Sequence, residues 1–432
     1  MGTSLAFHYI FASLGVGLPL LLVVVEGRWL RTHDPVDYEI ARTWSRAMLL
    51  LFAIGAVSGT TLSFELGLLW PEFMKQAGSI IGIPFSAEGF AFFIEAIFVG
   101  IYLYGWDKLP PRVHWLCGVA IAVSGAASAV FVVAVNAWMN TPSGYKLVAG
   151  TPVAVDLWRA FFSPAFFTQA IHTTLAAYVF VGFAVAAVSA WQVLRNPRER
   201  HANAALRTGM VVAAIAIPLQ IIAGDLSARF DANVEPVKFA AEEAHFKTSR
   251  GAPLLIGGIA DQATRSVPGA IEVPFMLSFL AFGDPHAEVR GLDAFPRNDE
   301  PPVAIVHTSF DVMVASGTAL LLVALWWAAA TRFGRRLTGM WLARTLVVSG
   351  FLALFAIEAG WFVTEFGRQP WVVHALLRTS DAVTTAPALD LAFYGFSILY
   401  IFLAATLVLL LTRIPYWSAP EPARGSTSEA VA

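Results

Sequence analysis

The chain alternates between long apolar runs and short polar linkers rich in arginine. A helix needs about 20 apolar residues to cross a bilayer core of roughly 30 Å. Nine runs meet that description: 8–27, 47–69, 85–105, 114–136, 168–193, 208–223, 307–329, 343–364 and 389–411. They predict an all-α, polytopic membrane bundle of nine transmembrane helices. The sixth run is short and contains Pro218. The first lacks a basic head, ends on Glu26 and shows no small-residue cleavage pattern, so it reads as a span and not as a signal peptide.

The linkers supply an orientation. Those after spans 1, 3, 5 and 7 hold fourteen Arg and Lys residues, among them Arg28, Arg112, Arg198, Arg335 and Arg336. The short linkers after spans 2, 4 and 8 hold five: Lys75, Lys146, Arg159, Arg368 and Arg378. Basic residues are retained on the cytoplasmic side, which puts the N-terminus outside and the C-terminus in the cytoplasm. The expected organisation is helices 1–6 over 1–223, an external loop over 224–306, helices 7–9 over 307–411, and an Ala/Ser-rich disordered cytoplasmic tail over 412–432. A connection as long as 224–306 is unusual between membrane helices, and long loops tend to be functional. Within it, EPVKFAAEEAHFK at 235–247 predicts a short helix with Phe239 and Phe246 on one side, and the Gly/Pro-rich part from 251 to 300 is expected to be irregular.

Composition agrees with this pattern. The 432 residues are 57% hydrophobic and 13% charged, against about 25% charged in soluble domains. A net charge of −2 offers nothing to nucleic acid, and a single cysteine, Cys117, excludes an internal disulfide. No internal repeat is visible, so an inverted-repeat transporter gains no support.

Ionisable residues within spans are costly, face the bundle interior and mark function. His8 and His172 stand near the outer starts of spans 1 and 5, and Met313 lies in span 7. Imidazole and thioether are both axial haem ligands, although a buried histidine is more often a hydrogen-bonding group and a methionine ordinary core filler. Small residues that would admit a flat macrocycle follow two of them: Gly15 and Gly17 after His8, and Ala315, Ser316 and Gly317 after Met313. Glu88 and Glu95 are two helical turns apart and share a face, as proton-relay or metal-facing carboxylates do; helix-interface glue is the plainer alternative. Glu65 and Glu358 are further membrane carboxylates, and Ser124, Ser128 and Asn136 give span 4 a polar side. In GWFVTEFGRQPW at 360–371, Glu365 stands beside Arg368, between Trp361 and Trp371. Arg368 can pair with Glu365 or with an anionic cofactor edge. Lys238 and Glu243 in the long loop are by themselves ordinary solvated charges.

As a set, GWFVTEFGRQPW, GTTLSFELGLLWP at 59–71, AEGFAFFIEAIFVG at 87–100 and GDLS…KFAAEE from 224 resemble subunit I of the cytochrome bd-type quinol oxidases, over roughly residues 5–412. The short outer loop is more similar to the cyanide-insensitive branch. The resemblance implies quinol oxidation coupled to reduction of dioxygen to water, with protons drawn from the inner side and no pumping. It implies three haems near the outer face: a low-spin haem b held by His172 and Met313, a high-spin haem b held by Glu365, and an oxygen-site haem, d or a further b-type, with His8 as proximal ligand. It also implies that Glu88 and Glu95 are the proton-channel and oxygen-site glutamates, that Lys238 and Glu243 are the quinol-loop pair, and that Arg368, Trp361, Asn136 and Glu65 are supporting residues. The implied partners are a second membrane subunit covering a large apolar face, a small accessory subunit, ubiquinol or menaquinol, and dioxygen; the implied location is the bacterial cytoplasmic membrane. Two departures stand out: the family often spaces its span-3 glutamates by eight, here seven, and a position two before the methionine that is often basic is here Asp311. A secondary transporter, or another membrane b-haem quinone oxidoreductase, is the alternative reading.

Overall fold

The structure is a computed structural model that describes residues 2–148, 151–333 and 339–414. Arg335, Arg336 and the tail from 415 onward lie outside the described residues.

Among the described residues, nine helices of 25 to 35 residues are long and apolar enough to cross a membrane. They are α1 (Gly2–Thr32), α2 (Pro35–Leu69), α3 (Pro71–Tyr104), α4 (Pro111–Asn140), α6 (Phe166–Arg195), α7 (Arg200–Val234), α10 (Val303–Arg332), α11 (Met340–Gly367) and α12 (Leu389–Arg413). Three short helices lie between them: α5 (Leu157–Phe161), α8 (Pro236–Glu242) and α9 (Met276–Phe282). At about 1.5 Å per residue the long helices exceed the roughly 30 Å of hydrocarbon, and α2, α3 and α7 run ten or more residues beyond their apolar runs. Proline opens α2, α3 and α4 at the first turn, where its missing N–H has no intrahelical acceptor to lose. Asp34 caps α2 by accepting the Val36 N–H at 2.9 Å.

Small residues set the closest helix contacts. A Cβ on Gly182 of α6 would stand 2.9 Å from the Gly209 carbonyl oxygen of α7, and one on Gly209 would stand 2.7 Å from the Gly182 carbonyl oxygen. Gly17 of α1 meets Val181 in the same way, and Gly350 of α11 meets Ala187. In a bilayer, where apolar burial between helices gains little, such approach is what makes packing attractive. The main core joins Leu21, Leu22, Ile40, Phe183, Met210, Ile217, Leu320 and Leu346 from six helices.

The sixth apolar run is only the middle of a longer helix: α7 passes through Pro218 and continues to Val234. The stretch 251–300 is only partly irregular. It contains the strand Leu254–Ile256 paired antiparallel with Ile271–Val273, the strand Glu288–Val289 paired with Ser249–Arg250 just ahead of the stretch, and α9. Glycines allow this by taking left-handed backbone at the turns, with Gly257 at φ 70 and Gly258 at φ 86. The expected helix at 235–247 exists but stops at Glu242. Phe239 and Phe246 therefore pack into two different apolar clusters and do not share one side.

Candidate active site

The end of α11 carries the densest polar geometry. Glu365 accepts the Arg368 guanidinium Nη2 at 2.7 Å and the Asn136 side-chain amide at 3.2 Å. Asn136, from α4, is held by Thr364 (3.1 Å) and by Asn140, which donates to its backbone and side-chain oxygens at 2.9 and 3.0 Å. Arg368 is 5% exposed, yet its Nε and Nη1 have no hydrogen-bond partner. Buried guanidinium donors are normally satisfied, so the site asks for an anionic group beside Glu365. Trp361 packs edge-on against Phe362, 5.2 Å between ring centroids.

Each of the three candidate axial residues faces a glycine. A Cβ on Gly59 would be 3.0 Å from His8 Cε1, one on Gly360 3.1 Å from Met313 Sδ, and one on Gly224 3.5 Å from His172 Cε1. Ser58 Oγ lies 2.9 Å from His8 Nδ1. A partner on one ring nitrogen fixes the tautomer and leaves Nε2 to ligate. The side-chain amide of Gln220, on α7, lies 3.1 Å from His172 Nε2 and 3.3 Å from Nδ1. Among the described residues no three His, Cys, Asp or Glu side chains converge as a multidentate metal site. A haem iron needs only one or two axial protein ligands, so single residues opposite glycines, with an unsatisfied Arg368, fit a haem and not a caged ion.

On α3, Glu95 is 7% exposed, and a Cβ on Gly125 of α4 would come within 3.2 Å of its carboxylate. Glu88 accepts the Ser128 hydroxyl at 3.2 Å. Both carboxylates therefore face α4 through its small polar residues, as the seven-residue spacing predicts. Glu65 stands apart from these groups. It accepts Ser4 at 2.6 Å and Tyr400 at 3.4 Å, tying α2 to α1 and α12.

The long connection folds back onto the Arg368 segment: a Cβ on Gly367 would be 3.0 Å from Lys238 Cγ. Lys238 is buried among Asp231 (3.0 Å), Glu235 (3.0 Å) and Glu242 (4.0 Å). Burial pulls its ammonium pKa down, but these carboxylates outweigh burial and raise it, so the ammonium stays protonated. The structure does not pair Lys238 with Glu243. Burial first, then the charge of Asp311, lifts the Glu243 carboxyl to about 8, and Glu242 is held well above the carboxylate range chiefly by burial.

Sequence reading missed Asp231, Glu235, Glu242 and Gln220. The density of acids around KFAAEE was the available signal for the first three; Gln220, inside an apolar run, was the signal for the fourth. It also missed a closed cluster in which Glu26, wholly buried, receives the Tyr102 hydroxyl at 2.6 Å and meets His114 Nδ1 at 2.7 Å.

A nine-helix membrane bundle with isolated imidazole, thioether and carboxylate groups set against glycines defines a class: integral membrane proteins that carry haem and handle electrons. Within that class the sequence is specific. The chain belongs to the cytochrome bd terminal oxidase subunit I family, whose profile matches residues 1–416. It is similar to a putative cytochrome bd menaquinol oxidase subunit I of Bacillus subtilis (38% identical, 95% of this chain and 94% of that one). It also resembles the cytochrome bd-II ubiquinol oxidase subunit 1 of Escherichia coli (30% identical, 90% and 89%). Among solved structures, the bd oxidase from Geobacillus thermodenitrificans superposes with a TM-score of 0.91 at 38% identity, covering 96% of each chain. The protein is thus a haem-containing quinol:oxygen oxidoreductase subunit, a multi-pass protein of the bacterial cytoplasmic membrane, and membership implies a second membrane subunit. The transporter alternative falls.

Proposed function

We propose that this subunit oxidises a membrane quinol, menaquinol or ubiquinol, at the 224–306 connection on the outer side of the membrane, with dioxygen reduced to water by protons taken from the cytoplasm and none pumped. The N-terminus is then outside and the C-terminus cytoplasmic. His172 and Met313 would hold a low-spin haem b, Glu365 a high-spin haem b, and His8 an oxygen-site haem of d or b type. Haem supplies electron storage and dioxygen reduction. Everything else is the chain's own work.

Arg368 neutralises an anionic cofactor edge with the Nε and Nη1 donors that Glu365 leaves unused. Asn136 orients the Glu365 carboxylate, and Trp361 walls the same end of α11. Glu243 hydrogen-bonds a quinol hydroxyl and accepts its proton when the carboxyl is ionised, while Lys238 keeps the surrounding carboxylates paired so that the loop stays folded in an otherwise repulsive acidic cluster. Glu88 and Glu95 hold protons on the α3 face toward α4, and Glu65 braces α2 against α12. A second membrane subunit and a small accessory subunit cover part of the apolar exterior.

The observation that carries this reading is the buried, half-satisfied Arg368 bound to Glu365. The experiment is Glu365→Ala in the purified complex. Quinol-driven oxygen consumption is expected to fall at least a hundred-fold, roughly what removing a transition-state group does, with loss of high-spin haem absorbance. Normal turnover with full haem content would refute the assignment.

A further inference from the structure

One group in this region is used by nothing described so far. His307, in the first turns of α10, is wholly buried, and its Nδ1 lies 2.8 Å from the Glu242 carbonyl oxygen. A carbonyl can only accept, so Nδ1 carries the proton and donates. Glu242 is the last residue of α8, and the final carbonyls of a helix have no partner within it. The turn that follows is unfavourable by itself. Ala244, 1% exposed, sits at φ 45, a left-handed conformation unfavourable for a residue with a Cβ. That turn is where Glu243 projects. The turn has backbone bonds of its own, Glu243 N–H to the Phe239 oxygen at 3.0 Å and His245 N–H to the Ala240 oxygen at 2.8 Å, and the His307 donor on Glu242 adds the tie that fixes it to α10.

A second contact falls on the same face of α10, one turn on. Asp311 accepts the Gly257 N–H at 2.9 Å, and its Oδ2 lies 3.6 Å from His307 Nε2. Gly257 reaches this position with φ 70. The helix that bears Met313 thus grips the long connection at two places distant in sequence, 242 and 257. This gives Asp311 a role: it anchors the loop where a basic residue would meet an anion.

We propose that His307 is a positioning residue for quinol oxidation: its Nδ1–H fixes the Glu242–Glu243 turn, and together with Asp311 it latches the quinol-binding connection onto α10. The inference rests on the reading of Glu243 as a quinol contact.

The test compares His307→Ala with His307→Asn in the purified oxidase, using a soluble quinol. Asparagine presents an amide N–H near the position of Nδ1 and keeps the donor; alanine removes it. The loss of one buried hydrogen bond that seats a turn corresponds to about ten-fold in an equilibrium constant. His307→Ala is expected to raise the KM for quinol about ten-fold, to lower kcat far less, to keep a full haem spectrum and to become more sensitive to trypsin at the exposed Arg250. His307→Asn is expected to stay near the parent. An unchanged KM in His307→Ala, an asparagine variant as impaired as the alanine one, or loss of haem absorbance in His307→Ala would each overturn the proposal. Glu243→Gln separates the two readings. If it leaves quinol kinetics unchanged, the quinol-contact reading fails; if it impairs them while His307→Ala does not, only the latch fails.

Discussion

Glu243 is buried beside Asp311, and its carboxyl is lifted from 4.5 to about 8. Between these values the folded protein keeps a proton that the unfolded chain gives up. The sign follows: the contribution of Glu243 to stability is complete below about 4.5, declines as pH rises, and is gone above about 8. Glu243→Gln should flatten the fall in thermal midpoint between about pH 5 and about pH 8; an unaltered slope would mean that the carboxyl is ionised throughout. A different logic governs Asn136. Its amide is the donor to Glu365 Oε1, and removing a donor from a charged acceptor costs about 1.5–3 kcal/mol. Asn136→Ala should therefore weaken retention of the Glu365-held haem and shift its absorption, read by optical titration against Asn136→Ser. Much at this scale was readable beforehand, because Asn136 closes an apolar run and Glu365 and Arg368 follow directly on another. The partners of Lys238 were not. Asp231 reaches it from the preceding helix, whereas the residues alone read as solvated charges and only the family resemblance set Lys238 beside Glu243.

At the scale of elements, the apolar runs mark where helices cross but not where they end. α7 extends to Val234 because a helix keeps its backbone bonded beyond the hydrocarbon as readily as within it, and hydropathy is blind to that extension. Pro218 does not interrupt it. The Gly/Pro-rich composition of 251–300 suggested irregularity, yet the glycines are the means by which two small antiparallel pairs turn. The α6–α7 contact depends on Gly182 and Gly209, which touch backbone to backbone. A side chain there has nowhere to go, so Gly182→Val should destabilise the solubilised complex by about 1–3 kcal/mol, seen as a lower melting midpoint. Gly15, with nothing within 4 Å of an added Cβ, should accept alanine without that loss.

For the whole molecule, orientation is the property that places every group. His8, His172, Glu365 and the 224–306 connection fall at one end of the bundle, the end that the orientation proposed from the fourteen-to-five distribution of basic residues puts outside. The lone Cys117 is buried, so single cysteines can report sidedness. In intact cells an impermeant thiol reagent should label Ala263→Cys in the long connection and spare Arg198→Cys between α6 and α7; the reverse pattern would invert the topology. The most direct test of the central claim is optical. The purified complex, converted to pyridine haemochromes, should show Soret and alpha bands that count three haems for each copy of this chain, one of them lost with Glu365→Ala. A folded, colourless complex, or one whose haem content is unchanged in that variant, would contradict the account.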